Sequence, residues 1–134
     1  MRHLSTLLLV VSGVGLAAVG GLMTFAPTIL FGSNGVQIGI DPNLLSEIRG
    51  PGGVLFVTGL LLIAAVATRH LRGFASGVAA VVLLGTALGR IVSLMSDGIP
   101  ASSLQAALLL EIILGGLCVV LAVSLREKRA LKTS

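Results

Sequence analysis

Long apolar stretches alternate with short polar ones along this chain, and the apolar stretches are long enough to matter. About 20 consecutive apolar residues cross the ~30 Å hydrocarbon core of a bilayer as a helix. Four runs meet that length: Leu4 to Phe25, Gly50 to Thr68, Phe74 to Met95, and Leu104 to Leu125. The first carries no charge, and Pro27 follows it where a helix must stop. The third and fourth reach full length only if Arg90 and Glu111 lie inside the membrane. The pattern predicts an all-α membrane protein, a transmembrane four-helix bundle forming one domain over residues 1–134, with a basic tail at 126–134.

Polar chemistry between the runs orients them. Arg69, His70 and Arg72 separate spans two and three, and Arg126, Lys128, Arg129 and Lys132 follow span four, whereas residues 26–46 and 96–103 contain no Lys or Arg. The positive-inside rule then places both termini in the cytoplasm and the first and third loops outside. The expected location is the inner, cytoplasmic membrane, crossed several times. A cleaved secretory signal is the competing reading of the opening Met1-Arg2-His3, but twenty-two apolar residues are long for that role. The outer loop from Phe31 to Ser46, with Gly32, Asn34, Gly35, Gly39 and Asp41-Pro42, reads as turn chemistry. Pro51 lacks an amide hydrogen and its ring opposes the carbonyl of Glu47, so a break or kink is expected near Gly50, with Pro51 at the first helical position of span two.

Composition agrees with lipid as the solvent: 55% of residues are hydrophobic and 10% charged, against about 25% charged in soluble domains. Nine Lys and Arg against five Asp and Glu would suit a nucleic-acid partner. Seven of the nine, however, flank apolar runs as topology signals (Arg2, Arg69, Arg72, Arg126, Lys128, Arg129, Lys132), so no nucleic acid is expected. A single Cys118 excludes a dithiol exchange pair. His3 and His70 fall at cytoplasmic boundaries, so neither a metal nor a haem cofactor is expected.

Helices in lipid associate through small residues that let backbones approach. Gly13, Ala17 and Gly21 in span one share four-residue spacing, as do Gly73 with Gly77 and Gly85 with Gly89 in span three. These stripes are expected to pack helices, within the bundle or between copies, so leucine at Gly85 or Gly89 should loosen the fold.

Five charges fall near the outward ends of spans two to four: Glu47, Arg49, Arg90, Asp97 and Glu111. The topology converges them into one candidate polar site. Thr86, Arg90, Ser93 and Asp97, at intervals of four, three and four, form a stripe on one helix face, with Thr86 and Ser93 in support. Arg90 lies roughly 9 Å and Glu111 roughly 12 Å from the third loop at 1.5 Å per residue, within an arginine's reach. Ala107, Glu111 and Gly115 share a face, which points Glu111 at another helix. Because an unpaired charge at the bilayer centre costs at least ~2.5 to 3.5 kcal/mol, Arg90 with Glu111 is the expected pair. A purely structural clasp, a ligand site and a catalytic site all remain compatible with it.

The run Glu47-Ile48-Arg49-Gly50-Pro51-Gly52-Gly53, with Gly89-Arg90, Asp97-Gly98 and Glu111, resembles the uncharacterised four-helix bacterial family DUF4345 from about Ala26 to Leu121. Pro51 departs from the family pattern. The layout is also similar to the DoxX-like group. The resemblance implies the topology and the charged positions and transfers no activity. Small multidrug exporters share length and span count but carry their membrane carboxylate in the first span, where this chain has no charge. The expected function is a non-enzymatic scaffold, assembly partner or ligand-binding subunit, with membrane lipid and a homo-oligomer or another membrane protein as partners. A small transporter using Glu111 and Arg90 is the alternative, and a membrane enzyme acting on lipid the third reading.

Overall fold

A computed structural model describes residues 2–130. Its elements are α1 (Arg2–Phe25), α2 (Pro27–Ser33), α3 (Pro42–Ala67), a 3-10 turn (Arg69–Leu71), α4 (Arg72–Ser96) and α5 (Ser102–Ala130). The four long helices are each apolar enough to span a membrane, over His3–Phe25, Pro42–Ala67, Arg72–Ser96 and Ser102–Glu127. At most 28% of any span's apolar window is buried inside the protein. Leu4, Val81 and Leu109, at 72, 75 and 63% exposure, show what the remainder must meet. In water such a surface would aggregate, whereas in lipid it is the solvated face. Residues 131–134 of the expected basic tail lie outside the described residues.

Local signals set the ends. Pro27 stops α1 and, at N1 or N2, starts the short helix α2, which ends at Asn34. The turn chemistry expected from Phe31 to Ser46 is therefore confined to the middle of that segment, because each flank is helical. Gly35, at φ 77°, takes the left-handed conformation that a side chain would strain. Asp41 then caps α3: its Oδ1 accepts from the amides of Asn43 and Leu44 at 2.7 and 3.1 Å, with Pro42 beginning the helix. At the other end of α3, Arg72 donates from Nε to Ala65 O (3.2 Å) and from Nη2 to Val66 O (2.6 Å). That guanidinium, read from sequence as a topology charge, also satisfies carbonyls the helix end leaves orphaned.

The break expected near Gly50 does not occur, for α3 continues through Pro51. Carrying a proline forfeits one hydrogen bond, to the carbonyl of Glu47. Ending and restarting the helix there would orphan up to about four N–H and four C=O groups, each costing several kcal/mol where lipid replaces water. One orphan is cheaper than several, and the strong start at Asp41-Pro42 commits the helix eight residues before Gly50.

The long helices associate as two pairs, α1 along α3 and α4 along α5, joined chiefly between α3 and α4. At the α1–α3 crossing the backbones nearly touch. A Cβ on Gly20 would meet the Phe56 amide and lie 2.7 Å from Gly52 O, one on Gly52 would lie 2.6 Å from Met23 Cβ, and one on Gly59 would lie 2.6 Å from Gly13 O. Gly13 and Ala17 belong to this contact as the stripe predicted, while Gly21 meets the Phe56 ring at an ordinary 3.5 Å. In α4 the same spacing serves otherwise. Gly73 approaches Leu125 Cβ at 3.5 Å, but no side chain or neighbouring helix lies within 4 Å of where a Cβ would sit on Gly77, Gly85 or Gly89. Those three do not pack helices in the described chain.

The core gathers where the pairs join: Leu9, Leu16, Leu62, Ala65, Ala75, Ala79, Ala80, Leu83 and Cys118 form one buried cluster. These positions crowd the half of the bundle nearest the 3-10 turn. Towards the opposite end the pairs separate, even though Ser103 Oγ there donates to Asn34 Oδ1 at 2.6 Å.

Candidate functional site

Between the separated pairs lies a partly open, predominantly apolar cavity of ≈ 850 Å³. Each long helix contributes a wall, including Leu16, Val19 and Met23 of α1, Val54 and Leu55 of α3, Val81 and Val82 of α4, and Leu110 and Leu114 of α5. Gly85 and Gly89 also line it, so the unpacked glycines of α4 subtract side chains from a wall.

Arg90 and Glu111 hold the polar part of this cavity. Arg90 Nε donates to both carboxylate oxygens of Glu111, each at 3.0 Å. The side chains are 34 and 15% exposed, so the pair is sheltered without being sealed. Gly115, one turn along α5 from Glu111, lets α4 come close: its Cβ would lie 2.8 Å from Leu84 Cδ2. Glu111 thus faces α4, as its small neighbours on the same face implied, and Ala107 lines the cavity on that face. Either charge alone at the bilayer centre would cost ~2.5 to 3.5 kcal/mol. Together they share the field of one close contact.

The rest of the expected site divides. Thr86 and Ser93 line the cavity with Arg90. The Thr86 hydroxyl donates to Leu83 O at 2.9 Å, and Ser93 Oγ donates to Asp97 Oδ2 at 2.9 Å. Asp97 ends α4, exposed, and is not part of the cavity wall. Glu47 and Arg49 are also exposed and not part of it, and the Arg90–Glu111 contact is the sole ion pair among the described residues. The five-charge cluster is therefore corrected to a pair. The helix pairing bears on this, since Glu47 and Arg49 belong to α3, which packs mainly along α1, while Asp97 caps the far end of α4.

Two features escaped the sequence reading. Gly20, Gly52 and Gly59 carry the tightest contacts, and their signal was a seven-residue interval, Gly13 to Gly20 on α1 facing Gly52 to Gly59 on α3. Ser12 was the other: 1% exposed, lining the cavity, its Oγ makes no satisfied hydrogen bond and has the weak thiol of Cys118 beside it. No periodic pattern marks a lone serine in an apolar run. Among the described residues, no three His, Cys, Asp or Glu side chains are grouped so as to hold a metal ion.

The model of a family described as a domain of unknown function, DUF4345, matches residues 4–122. No curated protein and no solved structure matches the chain.

Proposed function

Since the chain belongs to the DUF4345 family, a domain of unknown function with no activity to transfer, we propose from its own geometry that this membrane protein binds a ligand without transforming it. It takes a mostly apolar molecule from the surrounding bilayer into the cavity between its helix pairs. One observation carries the reading: the cavity of ≈ 850 Å³ combines apolar walls from four helices with a single charged pair. Ligand sites characteristically measure about 300 to 1,000 Å³, with apolar walls and a few fixed polar groups. A scaffold needs no such void, and in lipid an unfilled one forfeits the packing that holds helices together. The packed core beside the 3-10 turn blocks one end, which favours a binding site over a transport path.

In this reading the basic ends face the cytoplasm and the Arg90–Glu111 end faces outward, in a cytoplasmic membrane. Cysteines placed at Asn34 and Ser102 should then label from outside, and one at His70 only after permeabilisation. The ligand reading is tested by lipid analysis of protein purified in mild detergent and by titration with a neutral long-chain alcohol. Saturable binding that Gly89→Leu abolishes, with the fold intact, is the expected result. Equal uptake by the Gly89→Leu protein would remove the cavity from the function.

A further inference from the structure

We infer that the ligand of this cavity is an amphiphile with an anionic head, a carboxylate or a phosphate monoester, held by the outer edge of the Arg90 guanidinium while its apolar chain fills the cavity. The inference rests on the ligand-binding reading above and adds the chemistry of the polar end.

The argument is an inventory of unused hydrogen-bonding capacity. A guanidinium carries five N–H donors in a rigid fork. Glu111 occupies one of them, because both of its oxygens accept from Nε. Among the described residues the Nη1 and Nη2 groups of Arg90 have no hydrogen-bond partner, although the same groups in a fork-to-fork pair would have taken the carboxylate. The neighbouring hydroxyls have spent their protons, Thr86 on Leu83 O and Ser93 on Asp97. Glu111 offers oxygens that already accept. What the cavity leaves unsatisfied around Arg90 is therefore donors, and a ligand matching them must bring acceptors. The parallel N–H groups along the Nη edge fit a carboxylate or phosphate in two-point geometry, with charge assistance.

Shape supplies the second half. The walls extend from Arg90 and Ser93 to Ser12 and Leu16 near the packed core. Ser12 to Met23 along α1 and Val81 to Ser93 along α4 correspond to roughly 16 and 18 Å at 1.5 Å per residue. That is an elongated apolar slot with its cationic donors towards one end, complementary to a chain with an acidic head. Gly85 and Gly89, without side chains beside Arg90, leave the head room to reach it.

The test uses the full chain in neutral phosphatidylcholine nanodiscs, titrated with hexadecanol, hexadecanoate and hexadecyl phosphate, and with acetate and inorganic phosphate as heads lacking a chain. The expected result is that one or both anionic amphiphiles bind about tenfold or more tighter than the alcohol, the worth of one charge-assisted hydrogen bond. Which anion leads separates a fatty-acid source from a phospholipid-derived one. Arg90→Gln combined with Glu111→Gln leaves the cavity uncharged and should erase the preference for the anions over hexadecanol. Glu111→Gln alone removes a repelling carboxylate and should strengthen the preference, a change that a merely structural clasp would not produce. Equal affinity for alcohol and anions in the unaltered protein overturns the anionic head and leaves the apolar cavity standing. A preference that survives in the double variant, or tight binding of the chainless anions, overturns it as well. Binding of none of the amphiphiles, or sedimentation as a dimer that Gly89→Leu dissociates, overturns both the head group and the cavity reading.

Discussion

Two sets of glycines in this molecule, one recurring at seven residues and the other at four, do opposite things. Gly13, Gly20, Gly52 and Gly59 are buried at the α1–α3 crossing, where a methyl group on any of them would press on backbone or on a Cβ at 3.1 Å or less. Gly85 and Gly89 are exposed, with nothing beside them within 4 Å, and border the cavity. The difference teaches that a missing side chain has two uses in lipid: it brings backbones together when another helix lies opposite, and it makes room when none does. Recurrence of small residues along a helix does not by itself say which use they serve.

The sharpest way to break the comparison is to put the same side chain on both stripes. Leucine at Gly20 or Gly59 must force α1 and α3 apart, since the obstacles are main-chain atoms that have no rotamer to move to. We expect a loss of about 3 kcal/mol or failure to fold, at the upper end of overpacking costs, read by reversible unfolding in mixed micelles. Native-like stability in both variants would mean that the α1–α3 crossing is not the tight contact described.

A smaller effect is expected at the pair that joins α4 to α5. Glu111→Gln leaves Arg90 without its countercharge, and adding Arg90→Gln should restore part of the loss. The double-mutant cycle should give a coupling of about 1 kcal/mol, between the ~0.6 average and ~1.7 maximum measured for polar contacts between membrane helices. Coupling indistinguishable from zero would reduce the 3.0 Å contact to an accident of proximity.

Leucine at Gly85 or Gly89 should change unfolding stability by no more than about 0.5 kcal/mol, as at other surface positions, while closing the cavity to ligand. This outcome reverses what the spacing alone predicts. If these variants unfold as readily as the Gly20 variant, the second stripe is an interface after all, with another copy as its partner. Ser93→Ala should have the least effect, within about 0.5 kcal/mol. It removes only an exposed hydrogen bond to Asp97, and a larger change would bring Asp97 back into the site.

The spans were legible because a membrane demands length and hydropathy of each segment by itself, and that demand is local. Arg90 and Glu111 were legible as a pair for a related reason, since depth follows from residue count and two opposite charges in hydrocarbon have few alternatives. Glu47, Arg49 and Asp97 were misplaced because depth is only one coordinate. Residues at one level of a bundle meet only if their helices are neighbours on the correct faces. The start of α3 was readable too, from an aspartate before a proline, but the break attributed to Pro51 outweighed it. That weighting suits water, where a broken helix is solvated at its new ends, and it fails where orphaned backbone groups have no solvent.

By itself, then, the sequence determined the all-helical membrane class, the four spans, the turn at Gly35, and a charged pair near one end of the last two helices. These follow from backbone hydrogen bonding and charge solvation, costs that each segment must meet whatever its neighbours do. Only the tertiary structure decided that α1 pairs with α3 and α4 with α5, that one set of glycines is contact and another is cavity wall, and that Arg90 meets Glu111 through its Nε. Those outcomes depend on which surfaces meet. Between helices that lipid solvates as well as protein does, no strong hydrophobic term selects the partners, and backbone shape makes the choice.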